Sequence, residues 1–348
     1  MKSLKESIFM KKVITWCAIF CLFCLALVPS LSPRVQAEDK NIKIGVAFYK
    51  YDDAYMSSVR VALEKIAKEH SNVELIVNDS QNDQAKQNDQ IDVMIQKGVD
   101  VLLINVVDTG AAEAVVQKAK DANIPLVLFN REPATDVVKA YDKARFVGTT
   151  AKEAGIIQGK MIAELWKSDK KYDRNGNGKL DYVMLIGDPE NPEAIARTKY
   201  AVDTLTEAKI EVNKLGDQVA NWDPDKAKTA TDAWLAKDAD NIDVIISNND
   251  SMASGAIAAL QGAGFNTDAK ADKKIPVFGV DATEEAVDLI ARGIMTGTVK
   301  QDAEGMAKAV FALSYNAGQG KDFLDGTDYK YDDTQVAVRI PYQAFNGQ

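Results

Sequence analysis

Cysteine is nearly missing from this chain, and where it occurs it does little. The three cysteines are Cys17, Cys21 and Cys24, all close to the N-terminus. Beyond them no disulfide, thiolate nucleophile or cysteine metal site can form. Histidine is scarcer still. The single one, His70, ends a helical pattern just before Ser71, where a solvated helix-end role suits it best. Without these two residue types, only Asp and Glu remain for acid–base chemistry. Phosphate cradles are also lacking, because neither G-x-G-x-x-G after the first strand-like run nor G-x-x-x-x-G-K-[ST] occurs. G-x-S-x-G and H-E-x-x-H are absent too. Positive charge is in deficit, with 42 Lys and Arg against 51 Asp and Glu, a net charge of −9. That balance repels nucleic acid and anionic membranes and is compatible with small neutral ligands. What the chain has in quantity is apolar residues, 46% of its 348 positions. This suffices for a sizeable core, and the length suits about two domains.

One segment differs from the rest. Lys2, Lys5, Lys11 and Lys12 precede an apolar run from Val13 to Val28, broken only by Thr15. Pro29, Ser30, Pro33 and then Val35-Gln36-Ala37 follow. A basic start, a short apolar stretch and small residues at −3 and −1 make a secretory signal peptide, residues 1–37, and the run is short for a bilayer span. The expected address is export, to the periplasm or the outer face of the cell membrane. A retained anchor is the alternative, as is a lipid-anchored form cleaved before Cys21 or Cys24. A bulky Phe before each of those cysteines speaks against lipidation. Setting this leader aside removes five basic residues and one acid and carries the net charge to −13. All three cysteines leave with it, so the rest must be held by an ordinary core.

From residue 41 onward strand-like and helical patterns alternate. The strand-like runs are Ile42–Phe48, Val73–Val77, Val99–Ile104, Pro125–Phe129, Tyr182–Ile186, Val244–Ile246, Ile275–Val280 and Val336–Ile340. Several are continuous β-branched or Leu-rich runs, as parallel strands buried on both faces require. Val59, Leu63 and Ile66 share one helical face, as do Met252, Ile257 and Leu260 behind the N-cap pair Asn249-Asp250. The fold class is therefore α/β, and with about ten strands two doubly wound sheets fit better than one. The segment near Arg145–Thr150 is a candidate crossover between them.

Ligands of open α/β sheets sit beyond the carboxyl ends of the strands. There the sequence places Tyr51-Asp52-Asp53-Ala54-Tyr55, Asn105, Asn130-Arg131-Glu132, Asn191 with Glu193 and Arg197, Asn248-Asn249-Asp250, and Asp281. Trp222 stands in a further loop. Carboxylates accept from hydroxyls, amides donate and accept, and Arg donates in a planar fork. An uncharged polyol needs that mixture, and its C–H faces suit aromatic plates, here Tyr55 and Trp222. Singly, each Asn or Asp reads as well as a helix cap or turn former. The whole set at one sheet edge is harder to explain that way.

Residues 173–181 read Asp-Arg-Asn-Gly-Asn-Gly-Lys-Leu-Asp, the start of a calcium loop. Ca²⁺ requires six to eight oxygens. Asp173, Asn175, Asn177 and Asp181 would supply side chains, and Lys179 its carbonyl. The twelfth position is Met184 rather than Glu, so the ordinary helix–loop–helix site is excluded. A solvated Asn/Gly turn is the plain alternative.

Taken together, these residues resemble the periplasmic glucose/galactose-binding protein family of ABC importers. The likeness covers about Ile42 to Tyr342. It is most specific at Tyr49-Lys50-Tyr51-Asp52-Asp53, residues 78–84, residues 87–93, Gly155-Ile156-Ile157-Gln158-Gly159, Asn248-Asn249-Asp250 and residues 276–281. The resemblance implies a type I periplasmic binding protein, with two Rossmann-like lobes joined by three hinge strands near Val147–Thr150, Val299–Asp302 and Arg339–Tyr342. It implies an N-terminal lobe of residues 38–148 plus 300–339 and a C-terminal lobe of 149–299 plus 340–348. It implies hexose contacts from Asp53, Asn130, Arg197, Trp222, Asn249 and Asp281, with Tyr55 and Trp222 as plates. Asn191, Glu193 and Gln301 occupy positions where the family has His, Asp and Asn, and Tyr55 replaces a Phe. A structural calcium would be completed by Asp243, one methylene shorter than the family's Glu. In its loop Asn177 stands for an Asp and Asp181 for a Gln. The implied partners are a monosaccharide and an ABC permease, with a chemoreceptor or sensor kinase as a further candidate. The protein would act as a monomer without nucleic acid.

The reading is thus a hinge-closing binding protein and not an enzyme, its ligand galactose, glucose or a galactoside. The rival enzyme is a carboxylate-based glycoside hydrolase drawing its pair from Asp53, Glu193 and Asp281. A sugar-responsive repressor would need a basic DNA-binding segment that the sequence does not offer. A pentose or furanose receptor is the rival within the class.

Overall fold

Continuous apolar runs become buried strands, and the segments between them become capped helices. These come from a computed structural model that describes residues 40–271 and 273–347. The expected leader, residues 1–37, lies outside the described residues. The strands are β1 (Ile42–Phe48), β2 (Val73–Asp79), β3 (Val101–Ile104), β4 (Leu126–Phe129), β5 (Ala144–Gly148), β6 (Leu180–Ile186), β7 (Val212–Val219), β8 (Val244–Ser247), β9 (Val277–Asp281), β10 (Gly297–Gln301), β11 (Ala337–Arg339) and β12 (Tyr342–Phe345). They form two six-stranded sheets, ordered β2-β1-β3-β4-β5-β11 and β7-β6-β8-β9-β10-β12. Every pairing is parallel except β10 with β12. Each sheet is doubly wound in the same order and heads one of two lobes.

Helices cover both faces of each sheet. In the first lobe α1 (Ala54–Lys68), α2 (Gln84–Gln96), α3 (Ala112–Asp121) and α4 (Thr135–Lys139) connect the strands. In the second, α5 (Ala151–Ser168), α6 (Pro192–Glu207), α7 (Pro224–Asp238), α8 (Asp250–Gly262) and α9 (Glu284–Ala291) do so. The tenth helix, α10 (Ala303–Gly318), returns to the first lobe, where Met306, Val310 and Leu313 join Val59 and Leu63 of α1 against Ile44, Val46 and Phe48. Ile91, Met94, Val115 and Val116 cover the other face, over Leu102, Ile104, Leu126 and Leu128. In the second lobe Met252, Ile257 and Leu260 lie on Val183, Leu185 and Ile245. Ile162, Ala201 and Leu205 lie on Met184, Val244 and Ile246.

The chain passes between the sheets three times, after β5, after β10 and between β11 and β12. The stretch near Arg145–Thr150, expected as a crossover, contains β5 itself up to Gly148. β10 carries the second sheet to Gln301, past the lobe boundary expected at 299. β7 had no counterpart among the expected strands. It is a half-exposed edge strand carrying Asn213, Lys214, Asp217 and Gln218, so it lacks the continuous apolar run of its neighbours.

Candidate functional site

In both sheets the strand order reverses beside the first strand of the lobe, β1 in one and β6 in the other. At such switch points the connections leave in opposite directions and open a crevice. The crevices of the two lobes face each other around one cavity. It is lined by Asp53, Tyr55, Asn130, Asn191, Glu193, Arg197, Trp222, Asn249, Asp281 and Gln301, the ten residues expected from the sequence. Tyr49, Met56 and Arg131 line it as well. Tyr49 and Arg131 were visible as strand-end neighbours of assigned residues, but no local pattern marked them. Met56 carried no signal beyond a helical apolar face.

The capping and lining roles coincide. Asp53 caps α1 through Oδ1, which accepts from the Met56 N–H at 2.8 Å, while Oδ2 accepts from the Tyr49 hydroxyl at 2.5 Å. Asn191 caps α6 by accepting from the Glu193 N–H, and Asn249 caps α8 by accepting from the Met252 N–H. In both amides the cap uses Oδ1 and leaves Nδ2 for another partner. Asn130 lies in the left-handed region at φ 62°, with its Oδ1 accepting from Asn105. Asp281 ends β9 at φ 127°, and Trp222 follows Asn221 through a left-handed turn at φ 65°. Such conformations are disfavoured for residues with a Cβ and persist where surrounding structure holds them.

Arg197 organises the floor. Its guanidinium donates to Asn248 O at 2.8 Å, Gln301 Oε1 at 2.9 Å and the Tyr342 hydroxyl at 2.7 Å. Glu193 Oε2 lies 3.3 Å away and Asp281 Oδ1 3.9 Å away. Its position on α6 depends on close helix packing. A Cβ on Gly159 of α5 would stand 2.6 Å from Ala201 O, so only glycine lets α5 lie this near α6. Burial works against the Arg197 charge, but Tyr342, Glu193 and Asp281 outweigh it and hold the guanidinium charged. Glu193 also accepts from the Thr149 hydroxyl at 2.5 Å and from Tyr342 at 2.9 Å. Burial pushes the Asp281 carboxyl well up, Arg197 opposes this, and neighbouring Asp250 adds to it.

Arg131 spans the two sides. It is stacked 3.9 Å from the Tyr49 ring centroid and donates to Val107 O at 2.5 Å. Its Nη1 also reaches Asp188 Oδ2 of the second lobe at 3.4 Å. Four buried polar atoms of the lining find no hydrogen-bond partner within the protein, namely Tyr55 Oη, Arg197 Nε, Trp222 Nε1 and Gln301 Nε2.

The loop expected to hold calcium lies at the start of β6. Asn175 and Asn177 each donate to Asp181 Oδ2 at 2.7 Å, and Asn213 donates to Asp181 Oδ1. Asp243 accepts from the Arg174 and Asp181 N–H groups, both at 2.8 Å. Asp173 accepts from Gly178 N–H through one oxygen, and its other, Oδ1, is buried without a partner. Gly176 and Gly178 sit at φ 70° and 78°, which the sharp turn requires. Burial first, then Asp181 and Asp173, push the Asp243 carboxyl up to about 6. Among the described residues no three acidic, His or Cys side chains converge on one point. The donor chemistry nevertheless fits a hard cation, since three neighbouring carboxylates, one with an orphaned oxygen, are bridged here only by amides. The Lys179 side chain pairs outward with Glu211 at 2.6 Å.

A family model described as "Periplasmic binding protein domain" matches residues 44–322. The D-galactose/methyl-galactoside binding periplasmic protein MglB of Haemophilus influenzae is 45% identical over 86% of this chain and 88% of its own length. A xylitol-binding protein of Mycolicibacterium smegmatis is 28% identical over 82% of this chain and 75% of its own. Among solved structures, an ABC transporter solute binding protein from Bacillus halodurans with bound myo-inositol superposes with a TM-score of 0.73 at 26% identity. That likeness covers 89% of this chain and 96% of the other.

Proposed function

The chain belongs to the periplasmic binding protein family, and on that premise we propose that it binds one hexose between its lobes and delivers it to the permease of an ABC importer. The observation that carries this reading is the set of four buried, unpartnered polar atoms around one cavity. Leaving such groups unsatisfied costs about 1–3 kcal/mol each, so the site is built to be completed by a ligand. Arg197 Nε, Trp222 Nε1 and Gln301 Nε2 can only donate, so the ligand must bring oxygens. Asp53, Glu193 and Asp281 can accept from hydroxyls, so it must also bring O–H groups. A neutral polyol does both, whereas an anion would face three carboxylates. The Trp222 indole and the Tyr55 ring offer the flat apolar surfaces that sugar C–H faces need. The Haemophilus relative is named for galactose and methyl-galactoside, which supports galactose, glucose or a galactoside here.

Ligand contacts from both lobes favour the closed form, and that form presents a two-lobed surface to the permease. A chemoreceptor or sensor kinase is the second partner we propose. The protein is exported, works as a monomer in the periplasm or on the outer face of the membrane, and releases its ligand unaltered. A structural Ca²⁺ would be held by Asp173, Asn175, Asn177, Asp181 and Asp243 with the Lys179 carbonyl, neutralising carboxylates that now crowd one loop.

Calorimetry and thermal shift against a panel of monosaccharides, with and without chelator, test this reading. One hexose should raise the melting temperature by mass action. Trp222→Ala should abolish that shift while the variant remains folded. Hydrolysis of aryl glycosides or disaccharides, or saturation by a nucleotide instead of a sugar, would overturn the proposal.

A further inference from the structure

Tyr55 differs from the other three unpartnered groups of the cavity. It enters from α1 of the first lobe, whereas Arg197, Trp222 and Gln301 belong to elements of the second. Its hydroxyl is also the one group of the four that can donate and accept. The side chain is buried, with 6% of its surface exposed. The groups acting on its hydroxyl are Tyr342, Asp281, Gln301 and Arg197, all from the opposite side. Gln301 approaches closely enough to act on this hydroxyl as a weak hydrogen-bond donor, yet the approach lacks good hydrogen-bond geometry, and Tyr55 Oη and Gln301 Nε2 are both left without a well-formed partner. Gln301 Oε1 accepts from Arg197 at 2.9 Å, which orients the amide and leaves Nε2 as its free donor. An apolar ring would stack on a sugar without burying an unpaired hydroxyl.

We infer that Tyr55 is a specificity-determining residue, its hydroxyl and the Gln301 amide together reading one hydroxyl of the ligand from opposite lobes. The inference rests on the sugar-binding function proposed above. Gln301 Nε2 donates to that ligand oxygen. The ligand O–H then donates to Tyr55 Oη, or Tyr55 donates to the oxygen while the ligand O–H turns to a carboxylate. Only a free hydroxyl satisfies both groups. A deoxy carbon leaves both unpaired, and an O-alkyl group loses the donor and brings bulk into an enclosed corner. This contact would also join the lobes only when the sugar is in place.

The test compares the wild type with Tyr55→Phe by calorimetry, using the hexose bound by the wild type and its 2-, 3-, 4- and 6-deoxy analogues. In the wild type, deoxygenation at one position should weaken binding by about ten- to hundredfold through unpaired buried groups. In Tyr55→Phe the penalty at that position should shrink several-fold, and the penalties elsewhere should not change. Gln301→Glu keeps the oxygen that accepts from Arg197 and removes the amide donor, so it should alter the same position. Equal penalties at all positions in wild type and Tyr55→Phe, or an effect of Gln301→Glu at a different position, would overturn the inference alone. A wild type that binds no hexose would overturn the sugar reading beneath it.

Discussion

Gly187 should control the affinity of the site without touching the ligand. It follows β6 directly, and its N–H donates to Asn248 Oδ1 at 3.1 Å. A Cβ placed on it would stand 2.3 Å from two atoms of the Trp222 six-membered ring and 2.4 Å from a third. Carbon atoms pack best at about 3.5–4.0 Å, so in Gly187→Ala the indole must recede by more than 1 Å. It has little freedom to do so, because Asn221 and Trp222 are both held in left-handed conformations between buried Ala220 and the α7 cap Asp223. Overpacking of this kind costs about 1–3 kcal/mol, and a displaced plate loses its fit to the sugar face by a similar amount. Gly187→Ala should therefore melt lower and bind its hexose about ten- to hundredfold more weakly. The clash is with one ring, so the effects must not add. On a Trp222→Ala background, Gly187→Ala should cost almost nothing further in stability. Wild-type affinity in the single variant, or full additivity in the double, would refute the argument that Gly187 is kept small for Trp222.

Other consequences are as concrete. Asp188→Asn removes the charge that Arg131 reaches across the cleft while keeping the oxygen that accepts from Glu190, so sugar affinity should fall a few-fold. The difference should narrow at high salt, and an unchanged affinity at low salt would count against the bridge. Burial lifts Asp250 from an ordinary 3.8 to about 7, with Asp281 and Arg197 as its charged neighbours, so the folded state holds this proton more tightly than the unfolded one. Its contribution to stability is greatest at low pH and declines as pH rises from about 4 to 7, by a few kcal/mol. Asp250→Asn, whose amide can donate to Thr298 and accept from Thr283, should flatten denaturant midpoints measured between pH 5 and pH 8. Asp181→Ala strips the acceptor shared by Asn175, Asn177 and Asn213, so melting should drop and become insensitive to chelator and added calcium.

Legibility in the sequence followed burial. β3, β4 and β8 are covered on both faces and announce themselves as unbroken apolar runs, and β1, β6 and β9 do so apart from Lys43, Asp181 and the terminal Asp281. β7 does not, because an edge strand can afford Asn213, Lys214, Asp217 and Gln218. In the site, Asp53, Asn191 and Asn249 were readable because a strand-end Asn or Asp is also what starts a helix. The two readings of them were never rivals: one oxygen caps and the remaining polar atoms face the cavity. Tyr49 and Arg131 were not readable, since the role of each is set by the other. The guanidinium lies over a ring from a strand eighty-odd residues earlier, and no local pattern records that meeting.

The same logic explains why the floor of the cavity and the passages between the lobes share atoms. Thr149 follows the first passage out of β5, Gln301 closes β10 at the second, and Tyr342 opens β12 after the third. Thr149 and Tyr342 both donate to Glu193, and Gln301 and Tyr342 both accept from Arg197. Arg339, just before the third passage, donates to Thr149 O at 2.7 Å and forks onto Glu132. Glu193, Arg197, Gln301 and Tyr342 all belong to elements of the second lobe, and it is Arg339 at the end of β11, donating to Thr149 O, that reaches this network from the first sheet. The floor of the cavity thus shares atoms with the ends of all three passages, so on the proposed sugar-binding role Thr149→Val, which removes one donor to Glu193, should weaken binding of the ligand and leave the buried cores of both lobes intact.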